Sequence, residues 1–283
     1  MSGLQLIDVG DRGVKFINDR LQVWFNLVPD PENDGKNWYA GSTTSALLYD
    51  KEILDPKNAD TPWLYMCHDR EKRCMQIDQI QLYDSLGKGK LGQPAQLFSK
   101  PYRLIAKSGP VQPGSVQPGF IEITVASSPF ECIYPVGGGM RRLECELHRV
   151  IRLAAEASYL DEELSIHVKS GAEPGTESVA PCFAVCYYAH INAGEKWGLL
   201  VLSSEDAHAV VAGGNWARPP GGVLSYGLVC DARIEDLRWD SSSVSVLLSP
   251  RKSLGCRHLF NRYDELSTAL DAASHETLAR QVA

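Results

Sequence analysis

The residues in this chain whose types and spacing could do chemistry cluster around Arg141 to Val168, RRLECELHRVIRLAAEASYLDEELSIHV. His148 and Glu163 are candidate proton-transfer groups, because a histidine near a carboxylate can give or take a proton near neutral pH. Glu146 and Arg152 are candidate ligand-positioning groups, since arginine together with acids can hold the hydroxyls and carboxylates of a sugar-like molecule. Further along, FAVCYYAHIN puts Tyr188 and His190 on one face of a strand, a pairing suited to abstracting and returning a proton. Trp216, in the Gly/Pro-rich stretch GGNWARPPGG, could stack on a sugar ring, cap a hydrophobic cavity or anchor its own loop.

Two-residue periodicity decides which of these side chains can meet. As a strand, Leu143 to Leu153 places Leu143, Cys145, Leu147, Arg149, Ile151 and Leu153 on one side, with Glu144, Glu146, His148, Val150 and Arg152 on the other. Tyr159 to Val168 separates Leu160, Glu162, Leu164, Ile166 and Val168 from Tyr159, Asp161, Glu163, Ser165 and His167 in the same way. The short connection AAEAS predicts an antiparallel pair, and matching apolar faces puts His148 opposite Glu163 or Ser165. Arg149 and Glu162 interrupt the apolar side and are expected to form a cross-strand ion pair at its edge. Opposite charges across strands stabilise such a pair by about 0.2–1 kcal/mol each. An antiparallel sheet with one wet face shows this alternation without any ligand.

Other motifs lack the partners their chemistry needs. Cys67, His68 and Cys74 have no second Cys-x-x-Cys or His-x-x-x-His to complete a zinc site. Gly137 to Gly139 lies between strand-like runs and opens no helix, so it lacks the helix N-terminus of a phosphate cradle. The reading is therefore of chemistry that uses no metal and no cofactor.

The elements that must position these groups read as mainly β. VKFINDRLQVWFNLV reads as a strand followed by the loop PDPENDGKN, and Asp50-Lys51 predicts a hairpin turn into Glu52 to Leu54. WLYMC, FIEITVASSPFECIYP, PCFAVCYYAHIN, WGLLVLSS, AHAVVAG, GVLSYGLVC and SVSVLLSP are short strand-type runs between Gly, Pro, Asn and Ser. GPVQPGSVQP, at 109–118, reads as a long surface loop because strand patterning resumes directly after it. Only the tail looks helical: Leu266, Leu270, Ala273 and Thr277 share a face, with Asn261 or Asp264 as a cap, predicting a helix over about 262–281. The fold class expected is a large antiparallel β-sandwich, supersandwich-like, forming a single domain over 1–283 with a C-terminal helix.

Composition narrows the partners. At a net charge of -7 without any run of Lys and Arg, the chain is not expected to bind nucleic acid. The N-terminal MSGLQLIDVGDRG lacks the basic segment and apolar core of a signal peptide, and no apolar run reaches the ~18 residues of a membrane span, so a cytoplasmic protein without membrane contact is expected. Most of the eight cysteines, including Cys132, Cys145, Cys182, Cys186 and Cys230, sit in apolar strand-like runs, where a thiol acts as a small hydrophobe. The partners expected are a small-molecule or carbohydrate ligand, with homo-oligomerisation left open.

In organisation, the chain resembles the galactose mutarotase-like β-supersandwich superfamily, which includes aldose 1-epimerases. VKFINDRLQVWFNLV followed by GSTTSALLYDKEILDP looks like its opening strands, and the stretch from Arg141 to Val168 is similar to its middle portion. The resemblance implies a sugar-binding concave sheet, with a His as general acid and a Glu or Asp as general base on an anomeric or α-carbon proton. His190, in YYAHIN, stands nearest the family's Asn-His-x-Tyr-Phe-Asn signature, although order and spacing differ. The resulting expectation is a cofactor-independent isomerase, epimerase or lyase acting on a carbohydrate-like or other small oxygenated substrate. The alternatives are a biosynthetic cyclase with an apolar cavity and a non-catalytic carbohydrate-binding protein.

Overall fold

A computed structural model describes residues 3–28, 40–41, 43–48, 51–52, 63–67, 74–76, 100–109, 119–136, 139–170, 182–188, 197–203, 208–214, 224–230, 237–239, 243–248 and 253–262. Within them the chain is mainly β and its strands pair antiparallel throughout. In chain order the strands are β1 (Gln5–Asp8), β2 (Gly13–Ile17), β3 (Leu21–Asn26), β4 (Thr43–Leu48), β5 (Lys51–Glu52), β6 (Trp63–Cys67) and β7 (Cys74–Gln76). These are followed by β8 (Arg103–Ser108), β9 (Phe120–Ala126), β10 (Phe130–Val136), β11 (Gly139–Ala154), β12 (Tyr159–Ser170) and β13 (Cys182–Tyr188). The last are β14 (Trp197–Ser203), β15 (His208–Gly214), β16 (Leu224–Cys230), β17 (Leu237–Trp239), β18 (Ser243–Leu248) and β19 (Leu254–Arg262).

They form three sheets: β1 to β5 in sequence, a large sheet in the order β14-β15-β16-β19-β12-β11-β9-β8 with β10 also on β11, and a third in the order β17-β18-β13-β6-β7. The first sheet packs on the large one. Val14, Phe16, Leu21, Val23 and Phe25 from one side and Ile121, Ile123, Leu147, Leu153 and Leu164 from the other are all buried. Each such side chain contributes roughly 1.5–3 kcal/mol relative to exposure. On β12 the burial alternates residue by residue from Tyr159 to Ile166, as a strand with one dry face requires.

Local chemistry explains the joints. The run read as one strand from Val14 is a hairpin, β2 and β3, turned at Asn18. The Asn18 Oδ1 accepts from the backbone N–H of Arg20 and Leu21 at 2.8 and 2.7 Å, the Asx geometry that favours Asn in turns. Its Nδ2 donates to the carbonyls of Ala154 and Ala157 at 2.7 and 2.8 Å, so one side chain ties this turn to the turn joining β11 and β12. The hairpin of β4 and β5 is present, but Lys51, expected in its turn, is instead the first residue of β5 and pairs with Leu48.

Gly41 forms a second tie. Its φ of 76° and a Tyr102 ring lying 2.6 Å from where a Cβ would stand leave room only for glycine. Its N–H donates to Asn26 O at 2.8 Å and its carbonyl accepts from Arg149 Nη1.

The C-terminal helix expected over about 262–281 falls outside the described residues except at its first position. Asn261 and Arg262 lie in β19, opposite Ser225 and Leu224, so Asn261 caps no helix there. The loop at 110–118 also lies outside the described residues. No helix among the described residues is long and apolar enough to cross a membrane.

Candidate functional site

The pairing of β11 with β12 puts His148 opposite Ser165 and Val150 opposite Glu163. The polar face of this pair points away from the first sheet, and adjoining strands extend each pair into a row. One row runs Arg103, Ala126, His148, Ser165 across β8, β9, β11 and β12. The next runs Thr124, Val150, Glu163. A third runs Glu122, Arg152, Asp161, Arg257 across β9, β11, β12 and β19, with charge alternating at each step.

This alternating row is largely neutralised within itself. Arg257 grips Asp161 through Nε and Nη2 at 2.6 and 2.9 Å and lies 3.9 Å from the Tyr159 ring centroid. Arg152 donates to Glu122 and lies 3.8 Å from Glu163. Of the candidate groups, Arg152 is thus engaged with both Glu122 and Glu163, and Glu163 with Arg152.

The chemistry gathers at the other end of the face. Glu146 lies on the polar side of β11, yet its side chain is only 4% exposed. It sits where the partner of β11 changes from β9 to β10. There Ser127 bonds Leu147 through both its backbone N–H, at 2.9 Å, and its hydroxyl, which accepts from Leu147 N at 3.0 Å. His148 Nε2, Lys169 Nζ and Arg103 Nη2 surround the carboxylate at 3.2, 3.3 and 3.4 Å. Burial pushes the Glu146 pKa up, but the hydrogen bonds from His148 and Lys169 and the charges of Lys169 and Arg103 outweigh it and hold it below 4.5. Glu146 is therefore a carboxylate at neutral pH.

Against this carboxylate two imidazoles stack. The His148 and His167 ring centroids are 3.7 Å apart and their planes 10° from parallel. They meet because Glu146 faces His167 and His148 faces Ser165, which leaves the two histidines on the diagonal, within reach for aromatic side chains. His167 Nε2 contacts Ser165 Oγ at 3.1 Å. Desolvation and then the neighbouring His148 and Lys169 lower the His167 pKa below 6.5 against the opposing pull of Glu146, so His167 is mainly neutral at pH 7.

The arrangement is chemically complementary. Glu146 orients a donor nitrogen of His148, and His167 offers an unprotonated ring alongside it. Arg103 and Lys169, 63% and 48% exposed, flank the pair as cations able to reach a ligand. Among the described residues no group of three or more His, Cys, Asp or Glu is placed to hold a metal.

The structure thus joins His148 and Glu146 directly and keeps Glu163 and Arg152 on the same face one and two rows away. Tyr188 ends β13 in the third sheet, opposite Ser243, on a different sheet from the histidine pair. His190 and Trp216 lie outside the described residues. The expected Arg149–Glu162 pair is present at 2.5 Å but is buried in the interior, where Glu162 also meets His258 Nε2 at 2.9 Å. Lys169 and Arg103 escaped the sequence reading. Lys169 was one more step along the Ser165, His167 alternation, whereas nothing local to Arg103 signals that β8 will carry it to Glu146.

No family model matches the chain, and no curated protein matches it. Among solved structures, a putative kojibiose phosphorylase from human microbiome aligns over 95% of this chain at 9% identity, with a TM-score of 0.36. The chain spans only 29% of that protein. An alignment at this level assigns neither family nor substrate, and it does not establish the galactose mutarotase-like resemblance.

Proposed function

We propose that the protein is an acid–base isomerase or lyase for a small, polyhydroxylated, carbohydrate-like substrate, acting without a cofactor at the Glu146–His148–His167–Ser165 cluster. The observation that supports this reading is the stacked imidazole pair, one ring hydrogen-bonded to a buried carboxylate and the other held mainly neutral. A neutral ring beside a ring hydrogen-bonded to a carboxylate offers the base and the donor that proton transfer to and from carbon and oxygen requires. Arg103 and Lys169 would hold hydroxyl or acidic groups of the ligand from the two sides. A polar face of this kind supports acid–base chemistry better than the apolar cavity a cyclase would use.

The test is a thermal-shift screen of aldoses, uronates and sugar phosphates on the wild type, His148→Ala and His167→Ala. Ligand at a hundred times its Kd stabilises by about 2.7 kcal/mol. Such a shift is expected for at least one compound class in the wild type and not in either variant. A response that survives in both variants would place the ligand elsewhere and overturn the reading.

A further inference from the structure

Proton transfer at carbon is stereochemically constrained by where the acid and base stand. To invert a carbon, two groups must bracket it from opposite sides, each at about 3–3.5 Å, which sets them roughly 6–7 Å apart. The His148 and His167 rings are 3.7 Å apart and nearly parallel, and both rise from the same face of one sheet. No carbon fits between them. A ligand on this face meets both rings from one side, where they can serve two adjacent atoms.

We infer that the stacked pair moves protons on a single face of its substrate, so that the reaction is a 1,2-proton shift in an α-hydroxy carbonyl compound, an aldose–ketose isomerisation, and not an epimerisation. This rests on the acid–base reading above. In the forward step neutral His167 takes the C2 proton through Nδ1, the nitrogen not engaged with Ser165. The C2–H electron pair forms the C1–C2 double bond, and the carbonyl π pair takes a proton from Nδ1 of protonated His148, giving an enediol. His148 keeps its Nε2–H on Glu146 throughout. His167 then returns its proton to C1 on the same face as His148 recovers one from the C2 hydroxyl, which becomes the ketone. Both imidazoles end as they began, and no external reactant is consumed.

In the adjacent row Val150 and Thr124 put short side chains next to the pair, with Glu163 at the end of that row. The experiment incubates the full chain with D-glyceraldehyde, D-glucose, D-glucuronate and D-glucose 6-phosphate in D2O, and with the C2-deuterated aldoses in H2O, followed by NMR. A ketose is expected, with deuterium carried in part from C2 to C1. His148→Gln and His167→Gln, both on the wet face, are each expected to lose at least 100-fold in rate while their near-ultraviolet circular dichroism is kept. A 2-epimer or an unsaturated sugar as product would overturn the one-face isomerisation and leave the acid–base reading standing. Absence of exchange at any carbon, or exchange unaffected in both variants, would overturn both.

Discussion

At the residue scale, Glu146 carries a cost and a use. A carboxylate with so little exposure loses hydration, and hydrogen bonds and cations must compensate. Glu146→Gln removes the charge while keeping the shape. The histidine pair would then lose the negative charge that stabilises a protonated ring beside it, and proton exchange on a responding sugar should fall by about 10²–10⁴-fold. Measured kcat for the variant checks this, and a change below threefold would remove Glu146 from the machinery. On the acid–base function proposed above, His167 would set the acidic limb of the pH profile. Because its pKa is lowered from 6.5, the base form persists below that value, so kcat/KM should rise with pH through a midpoint under 6.5. A limb centred above 6.5 would assign the base to another group.

At the element scale, the joints carry more consequence than their exposed neighbours. Asn18 makes four hydrogen bonds, accepting two within its own turn and donating two to a turn distant in sequence. Asn18→Ala should cost about 2–4 kcal/mol, since each net hydrogen bond is worth about 1 kcal/mol and the buried groups left behind cost more. Asn18→Asp keeps the acceptor for Arg20 and Leu21 but sets a carboxylate against the Ala154 and Ala157 carbonyls, so urea denaturation should find it no better than alanine. Gly41→Ala should lose a comparable amount, because its positive φ and the Tyr102 ring both exclude a Cβ. These joints mark the limit of what was legible in the sequence. The alternation over Leu143 to Val168 gave both faces and narrowed the partner of His148 to Glu163 or Ser165, of which the structure pairs Ser165, because period two and matching dry faces allow few alternatives. The turn at Asn18 carries a local signal, the polar triplet Asn18-Asp19-Arg20 between VKFI and LQVWF, which a reading of VKFINDRLQVWFNLV as one strand passes over. β19 was missed altogether, because LGCRHLFNR breaks the polar–apolar alternation with Gly255 and with a buried Arg257 whose partner, Asp161, is remote in sequence. Pairings that join distant segments leave no mark on local periodicity.

At the scale of the whole molecule, a charged network inside the sandwich locks the first sheet to the large one. Arg149 bonds Glu162 and the Gly41 carbonyl and lies 4.9 Å from the Phe25 ring centroid, while Glu162 also accepts from His258. Arg149→Met alone strands a buried carboxylate and should cost about 3–5 kcal/mol, whereas Arg149→Met with Glu162→Leu removes both charges and should cost less than the single change. The network also sets a pH dependence. Burial would raise the Glu162 pKa, but the Arg149 charge and the His258 hydrogen bond lower it from 4.5 to about 2. Its folded value therefore lies below its unfolded one, so its contribution is complete above pH 4.5 and is lost as pH falls toward 2. The amount at stake is on the order of 3 kcal/mol. Urea denaturation of the wild type and of the double variant at successive pH values isolates it, because the other carboxylates are common to both. The wild type should lose stability more steeply across that window. Parallel curves would show that Glu162 titrates alike in the folded and unfolded chain, and that the lock between the sheets is packing alone.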